Sequence, residues 1–281
     1  MTAWFEERLY PGTVHRLRMD RILHSEQTDE QDLVIFENDR YGRVLALDGI
    51  VQTTEADEPF YHEMLVHVPL VAHPRARRVL VIGGGDGGAI RRALMHDIEA
   101  VTLVEIDPAV IEMSKRYLPK LSGDAFDDPR LELVIADGCR YVAETEARFD
   151  VVIIDSTDPV GPGRVLFTAE FYRDCKRVLN PGGILVTQNG VPFMQADEVR
   201  DGYPKLKASF ADVAFYLTEV PSYQGGHMAL GFATDDPSLR RQTAEQLADR
   251  AAPLAGKCEY YGPAVHAAAF ALPPFIERLF A

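Results

Sequence analysis

The stretch VLVIGGGDGGAI, residues 79–90, decides the fold of this chain. Its four leading apolar residues predict a buried strand, the six residues GGGDGG a tight turn, and the residues that follow the start of a helix. Glycine lets the backbone adopt positive φ and approach a ligand closely, and the helix N-terminus behind it offers free N–H groups and positive partial charge. The stretch therefore predicts a nucleotide or nucleoside site at the end of a strand.

An acid in the turn, Asp86, bears on which ligand the turn binds. Gly83, Gly85 and Gly88 fit the G-x-G-x-x-G spacing of dinucleotide sites, in which the turn binds a pyrophosphate. A carboxylate and a phosphate roughly 4 Å apart repel each other by about 4 kcal/mol at an effective dielectric constant near 20. The turn therefore favours a nucleoside with a positively charged tail and disfavours a nicotinamide dehydrogenase.

Apolar runs alternate with helix-length segments from residue 78 onward. The runs are residues 79–82, 101–106, 131–135, 151–155 and 184–188. This alternation predicts a parallel sheet covered by helices. Two further runs, residues 213–220 and 228–232, predict an antiparallel hairpin. The expected fold class is α/β, a methyltransferase-like Rossmann sheet with a C-terminal antiparallel hairpin.

The N-terminal part has a different pattern, with short alternating apolar runs. These are residues 31–36, 44–47 and 50–52, separated by the hairpin signals Asn38-Asp39 and Asp48-Gly49. We expect a small antiparallel β domain over residues 1–55 and a Rossmann-like catalytic domain over residues 56–281. Residues 57–68 have helical spacing, and that helix is expected to stop near Pro69.

Composition disfavours several function classes. Lys and Arg number 29 against 43 Asp and Glu, a formal net charge of −14, which disfavours nucleic acid and suits cationic small molecules. Cys139, Cys175 and Cys258 are widely spaced, which predicts reduced thiols. An acidic N-terminus and the lack of an apolar run of about 18 residues predict a cytoplasmic chain without a signal peptide or membrane span.

Polar residues follow the predicted strands, where ligands of such sheets bind. Glu105 ends the second run, where an acid can accept hydrogen bonds from both ribose hydroxyls. Asp137 and Gly138 follow the third run. The aspartate there could accept from an adenine amino group or cap a helix, and the sequence leaves both open.

The fourth run is followed by DSTDPVGPG, residues 155–163, in which Asp155 and Asp158 stand three positions apart. A helix cap explains one aspartate but not both. Together with Asp86, three acids are expected at one mouth, an arrangement that is unfavourable without bound cations. The cluster predicts one cationic ligand or two.

Eight groups of residues match one known family in this order along nearly the whole chain. They are QDL (31–33) with IFE (35–37), LDG (47–49) with VQTTE (51–55), YHEM (61–64), GGGDGG (83–88), VEID (104–107), DSTDPVGPG (155–163), PGG (181–183), and PSY (221–223) with GG (225–226). On these groups the chain resembles the spermidine synthases, which are polyamine aminopropyltransferases. The resemblance implies transfer of an aminopropyl group from decarboxylated S-adenosylmethionine, the co-substrate, to a diamine, usually putrescine. No prosthetic group and no metal are implied.

The same resemblance implies roles for individual residues. Asp155 would accept the proton. The nucleoside would be held by Gln31, Glu105, Asp137, Gly138 and Pro162, together with Gly83 and Gly85 of the turn. The polyamine channel would be lined by His62, Asp86 and Asp158, with Gln52, Tyr61 and Tyr223 as further wall residues. Arg92 stands where the family commonly has an acid and His24 where it has tyrosine, and both are expected outside the acid cluster.

Two other functions remain open. An S-adenosylmethionine-dependent small-molecule methyltransferase would use the same sheet, but Asp86 would repel the carboxylate of its cofactor. A non-catalytic polyamine-binding protein would keep the acid cluster, yet it would not need Asp155. The resemblance also suggests a homodimer or homotetramer with the N-terminal β domain near the interface.

Overall fold

A computed structural model describes residues 3–157 and 161–280 of the chain, without the side chains at positions 161, 162 and 164. Two antiparallel sheets fill its N-terminal part. Their strands are β1 (Ala3–Glu7), β2 (His15–Met19), β3 (Arg21–Gln27), β4 (Asp32–Asn38), β5 (Gly42–Leu47) and β6 (Ile50–Thr54). β1 pairs with β2, and β3 to β6 form a four-stranded meander. The three predicted runs correspond to β4, β5 and β6, whereas β1, β2 and β3 were not foreseen.

A seven-stranded sheet forms the larger part of the molecule. Its strands are β7 (Arg78–Gly83), β8 (Ala100–Glu105), β9 (Leu131–Ile135), β10 (Phe149–Asp155), β11 (Leu179–Gln188), β12 (Asp212–Glu219) and β13 (His227–Thr234). The order is β12-β13-β11-β10-β7-β8-β9. β7 to β11 are parallel, and β13 runs antiparallel to β11 and β12. This arrangement confirms the predicted Rossmann-like sheet and its antiparallel hairpin.

Helices cover both faces of this sheet. They are α1 (Glu58–Ala72), α2 (Gly88–Ala93), α3 (Pro108–Tyr117), α4 (Pro119–Ser122), α5 (Gly138–Glu144), α6 (Ala169–Val178), α7 (Ala196–Lys207), α8 (Ala244–Ala251), α9 (Pro263–Ala269) and α10 (Pro274–Glu277). Short 3₁₀ helices span Ala125–Asp127, Gly161–Phe167, Ala252–Leu254 and Arg278–Phe280. One face packs on α1, α2 and α8, and the other on α5, α6 and α7. None of the described helices is long and apolar enough to cross a membrane.

Helix α1 corrects one prediction. It was expected to stop near Pro69 but continues to Ala72, with Pro69 inside it. Proline removes one hydrogen bond toward the preceding turn but leaves the following residues free to be helical. The final turn is retained because Leu70, Val71 and Ala72 are all buried in the core.

The N-terminal meander packs on the larger sheet's helices through a shared apolar cluster. Leu33 and Ile35 of β4 are fully buried there, in the same cluster as Val110 and Met113 of α3. This contact places β5 and β6 beside the carboxyl ends of the parallel strands. The predicted division between residues 55 and 56 stays a prediction.

The sheet order reverses between β7 and β10, which are neighbours. The register pairs Asp155, the last residue of β10, with Gly83, the last residue of β7. Ligands of open α/β sheets bind in the crevice at such a reversal. The glycine turn and Asp155, at the carboxyl end of β10, therefore meet at one place.

Candidate active site

A cavity of about 190 Å³ opens at this reversal, between the strand ends and the N-terminal strands. Its walls include the predicted residues Gln31, Gln52, Tyr61, His62, Gly83, Gly85, Asp86, Glu105, Asp137, Gly138, Asp155 and Tyr223. Of the remaining predicted positions, Asp158 lies outside the described residues, and so does the side chain of Pro162. The structure thus brings together at one cavity every predicted side chain that it describes.

The glycine turn has the conformation that its sequence predicts. Gly83 has a φ of 78°, and a Cβ there would lie 2.1 Å from the carbonyl oxygen of Asp155. A Cβ at Gly88 would lie 2.2 Å from Cε1 of His62. These two positions therefore exclude larger residues, because the turn passes directly over the Asp155 backbone and the His62 ring.

Glu105 lies at one end of the cavity, fixed by backbone groups. Its Oε2 accepts from the N–H of Gly85 at 3.1 Å, and its Oε1 from the N–H of Asp107 at 3.0 Å. Burial raises the pKa of Glu105 to about 7, against the lowering effect of these hydrogen bonds. The carboxyl group is thus held in place at the end of β8.

Gln31 and Asp137 complete this end. Nε2 of Gln31 donates to Oδ2 of Asp107 at 3.0 Å, and the hydroxyl of Thr28 donates to the same oxygen at 2.8 Å. Sequence reasoning missed the positioning role of Asp107, although the residue stands in the VEID group. Oδ1 of Asp137 accepts from the N–H of Arg140 at 3.0 Å, so the structure shows the helix cap that the sequence left open.

Asp155 lies at the other end, and its two carboxylate oxygens differ. Oδ1 accepts from the hydroxyl of Tyr61 at 2.8 Å. Oδ2 is buried and has no hydrogen-bond partner within residues 3–157 and 161–280; Nε2 of His62 lies 3.9 Å from it. Burial and the nearby charge of Asp86 raise the pKa of Asp155 to about 6, while His62 and Tyr61 act in the opposite sense.

His62 lies between the two aspartates of this end. Its Nε2 is 3.5 Å from Oδ2 of Asp86, and its Nδ1 is 2.9 Å from Oε2 of Glu58. Burial disfavours the imidazolium, but Asp86 and Glu58 together raise the pKa of His62 well above its ordinary value. Burial would raise the pKa of Asp86, but His62 and the N–H of Gly88 hold it below the ordinary value.

Arg92 lies outside the acid cluster, as expected, but it is buried directly behind it. Its Nη2 is 2.6 Å from Oε1 of Glu58, and its Nη1 is 3.5 Å from Oε1 of Glu63. Sequence reasoning also missed Glu58, for which the i, i+4 spacing to His62 on α1 was an available signal.

Four further residues line the wall of the cavity. The Tyr223 hydroxyl donates to the backbone carbonyl of Gln52 at 2.6 Å, and the Tyr61 and Tyr223 rings lie 6.4 Å apart. The side chain of Glu7 is buried in the wall, with Oε2 accepting from the N–H of Val51 at 3.0 Å. Sequence reasoning missed Glu7, because an acid at the end of a short strand carries no local signal.

The cavity therefore has two chemically different ends. One presents hydrogen-bond acceptors that are held by backbone groups, and the other presents closely spaced carboxylates. Within the described ranges, no group of three or more His, Cys, Asp or Glu side chains is placed to hold a metal ion. The arrangement suits a ligand with a neutral polar part and a cationic part.

Comparison with protein families gives two matches. Residues 58–243 match the spermine/spermidine synthase domain, and residues 3–55 match the spermidine synthase tetramerisation domain. Together the two matches cover most of the chain.

Individual proteins agree with these family matches. Polyamine aminopropyltransferase 1 of Pseudomonas aeruginosa is 54% identical over 273 residues, 97% of this chain and 96% of that protein. The polyamine aminopropyltransferase of Salmonella arizonae is 50% identical over 277 residues, 98% of this chain and 96% of that protein.

Solved structures are similar as well. A spermidine synthase in complex with the transition-state analogue AdoDATO has a TM-score of 0.93 and 40% identity, covering 99% of this chain and 94% of its own. The spermidine synthase of Thermotoga maritima has a TM-score of 0.90 and 38% identity, with coverage of 99% and 93%. The chain therefore belongs to the spermine/spermidine synthase family and is a polyamine aminopropyltransferase.

Proposed function

We propose that the enzyme transfers the aminopropyl group of decarboxylated S-adenosylmethionine to putrescine, giving spermidine and methylthioadenosine. The donor is a nucleoside with a sulfonium and a terminal ammonium, and the acceptor is a diamine. The two ends of the cavity fit these two chemistries. The observation that carries the proposal is the buried Oδ2 of Asp155, which lacks a hydrogen-bond partner among the described residues.

The end around Glu105 would hold the nucleoside. Its carboxylate would accept from the ribose hydroxyls, and Gln31 would support the same part of the ligand. Asp137 has one oxygen in the helix cap, which leaves the other for the adenine amino group, and Gly138 lets the ring approach. Gly83 and Gly85 keep the turn close to the ligand, and the predicted contribution of Pro162 belongs to the same end.

Asp86 would bind the ammonium at the donor's tail. Intact S-adenosylmethionine carries a carboxylate on the same tail, which Asp86 would repel. The buried Asp86 carboxylate keeps its charge, since His62 and Gly88 lower its pKa. This charge favours the decarboxylated donor and therefore disfavours the methyltransferase alternative.

The transfer is a displacement at the carbon next to sulfur. A bond forms between the acceptor nitrogen and that carbon, and the carbon–sulfur bond breaks. Its electron pair passes to sulfur, which leaves as the neutral thioether of methylthioadenosine. The proton of the attacking ammonium passes to Oδ2 of Asp155. A sulfonium is already a good leaving group, so the chemical difficulty lies with the acceptor.

Deprotonating the acceptor is the step for which the protein must supply a base. With lysine as the reference, an alkylammonium of pKa near 10.4 costs about 4 to 5 kcal/mol to deprotonate at pH 7. Asp155 acts as the general base, and the Tyr61 hydroxyl holds its other oxygen in place. Alignment of the nitrogen with the sulfonium supplies much of the remaining rate acceleration.

A diamine fits because Asp155 is not the only acid in the wall. Glu7 of β1 contributes another carboxylate, which can meet the acceptor's second ammonium. Gln52 and Tyr223 form the wall between, and Asp158 is proposed to join the same channel. A monoamine would leave one of these acids without a partner cation.

Product analysis tests this proposal. The enzyme is incubated with decarboxylated S-adenosylmethionine, with putrescine, and with both, and methylthioadenosine is measured by chromatography. We expect methylthioadenosine only when both substrates are present. Competition among putrescine, cadaverine, agmatine and spermidine then ranks the acceptors. Methylated amine formed from intact S-adenosylmethionine, or no release from the mixture, would contradict the proposal.

We also propose that the enzyme is a homodimer or homotetramer, with the N-terminal strands at the interface. The matched tetramerisation domain covers those strands, and Trp4 and Ile22 on them are each 52% exposed. Light scattering on the purified chain measures the mass. A monomer at micromolar concentration would contradict the proposal.

A further inference from the structure

Behind His62 lies a line of buried charges that the reaction itself does not use. Arg92 of α2 bonds to Glu58 of α1 at 2.6 Å, and Glu58 bonds to Nδ1 of His62 at 2.9 Å. Beyond the ring, Nε2 faces Asp86 at 3.5 Å and Asp155 at 3.9 Å. Of the first three residues, only His62 lines the cavity.

We propose that Arg92 is a positioning residue, which fixes the His62 ring between Asp86 and Asp155 by holding the carboxylate of Glu58. The inference rests on the proposed function, because it assumes that the two aspartates meet the cationic parts of the substrates. It extends that function by assigning a role to a residue that touches no substrate.

The surroundings of Arg92 explain why Glu58 alone is insufficient. Arg92 and Glu58 are 4% and 6% exposed, so neither charge is solvated. Without Arg92, Glu58 would be a buried carboxylate near a second one, Glu63, with no guanidinium between them, and would turn away. That change removes the acceptor that orients the His62 ring.

Glu63 holds Arg92 from its other side. The Glu63 carboxylate accepts from three consecutive backbone N–H groups, those of Glu259, Tyr260 and Tyr261, at 2.8 to 3.0 Å. It is therefore fixed, and it lies 3.5 Å from Nη1 of Arg92. The guanidinium is thus held between two carboxylates of α1, one fixed by the C-terminal segment and one bonded to the ring.

The ring has little room to adapt if this support is lost. His62 is 1% exposed, and its Cε1 lies where a side chain at Gly88 would begin. A rotated ring would move Nε2 out of the gap between the two aspartates. We expect such a change to affect turnover and the acceptor's KM and to leave the nucleoside end unaffected.

Four variants test the role of Arg92 kinetically. Arg92→Met removes the charge at similar length, Arg92→Lys keeps it, Glu58→Gln removes the acceptor charge, and the fourth combines Arg92→Met with Glu58→Gln. The matched control is Arg240→Met, which breaks the partly buried Arg240–Asp212 pair, with contacts of 2.7 and 2.8 Å, outside the cavity.

We expect Arg92→Met to lower kcat by about tenfold or more, since a small misplacement of reacting groups has effects of this size. Arg92→Lys should recover most of that loss, and the control should keep kcat within about twofold. Methylthioadenosine affinity should stay unchanged throughout. The double variant should be no worse than its worse single variant, because residues that act through one another are not additive.

Two outcomes would overturn the proposal. One is a kcat for Arg92→Met, per folded protein, that equals that of the control. The other is a double variant whose loss is the product of the two single losses. If Arg92→Met does not fold, Glu58→Gln decides the question, since it keeps the shape of the side chain and a hydrogen-bond acceptor.

The His62 ring also gives a signal that does not depend on the reaction. Nitrogen NMR of histidine-labelled enzyme, assigned with His62→Gln, reports the proton on Nδ1 in the substrate-free chain. We expect a slowly exchanging Nδ1 proton in the parent and in Arg92→Lys, and its loss in Arg92→Met. An unchanged His62 signal in Arg92→Met would overturn the proposal, whether or not the parent transfers an aminopropyl group.

Discussion

The two ends of the cavity hold their carboxylates in different ways. At the proposed nucleoside end, Glu105 accepts hydrogen bonds from backbone N–H groups, and Gln31 donates to Asp107. At the proposed amine end, Asp86 and Asp155 both face Nε2 of His62, and an oxygen of Asp155 has no hydrogen-bond partner among the described residues.

This difference matches the charges of the two proposed substrates. Neutral hydroxyl and amino groups need acceptors held in place, which backbone groups provide without excess charge. Cations need negative charge that is not already neutralised, and buried carboxylates near each other are costly until a cation binds. On the proposed assignment, substrate binding completes the amine end, whereas the nucleoside end is complete beforehand.

The largest expected effect comes from removing the base at the amine end. Asp155→Asn should lower turnover by about 10² to 10⁴-fold, the usual loss for a positioned general base. Methylthioadenosine should bind nearly as before, because the nucleoside end is untouched. Steady-state rates and calorimetry measure the two quantities. Turnover within threefold of the parent would show that Asp155 is not the general base.

A change at the nucleoside end should weaken nucleoside binding and leave kcat nearly unchanged. At a pH above the Glu105 pKa of about 7, where the carboxylate is charged, Glu105→Gln should weaken methylthioadenosine and donor binding by about tenfold or more, since hydrogen bonds to a charged group contribute roughly 1.5 to 3 kcal/mol. The kcat at saturating donor should change little. Calorimetry and rates at high donor concentration check this, and a lowered kcat with unchanged affinity would reverse the assignment.

The third expected effect is on the choice of donor. Asp86→Asn should weaken the decarboxylated donor more than intact S-adenosylmethionine, because only the first gains from the charge on Asp86. One close charge pair is worth about 4 kcal/mol before relaxation and screening, so we expect the affinity ratio to fall by at least about tenfold. Calorimetry with both nucleosides measures it, with methylthioadenosine as the uncharged control. An unchanged ratio would mean that Asp86 does not distinguish the tails.

The parts of this site that follow strand ends could be predicted from the sequence. Glu105, Asp137 and Asp155 each stand directly after an apolar run, and parallel strands bring their carboxyl ends to one edge. The glycine turn was predictable because glycine alone combines positive φ with such close contacts. The hairpin of β12 and β13 was visible as two apolar runs joined by a turn.

Features that depend on contacts between distant elements could not be predicted. Arg92 reads as a surface residue at the end of a short helix, and only the packing of α2 on α1 brings it to Glu58. Glu7 reaches the cavity because β1 packs beside β6, which no local pattern shows. Pro69 reads as a helix end, but burial of the next turn outweighs that local preference.

The central claim is that Asp155 takes the proton of the bound acceptor, and the pH dependence of kcat/KM for putrescine at saturating donor tests it most directly. Burial and the charge of Asp86 raise the pKa of Asp155 to about 6 in the free chain, and a bound cationic donor acts in the opposite sense and lowers it. Asp155 accepts a proton only when ionised, so kcat/KM should rise with pH, with a midpoint at or below pH 6. In Asp155→Asn, this rising limb should be absent from the residual activity. The same rising limb in Asp155→Asn would contradict the account.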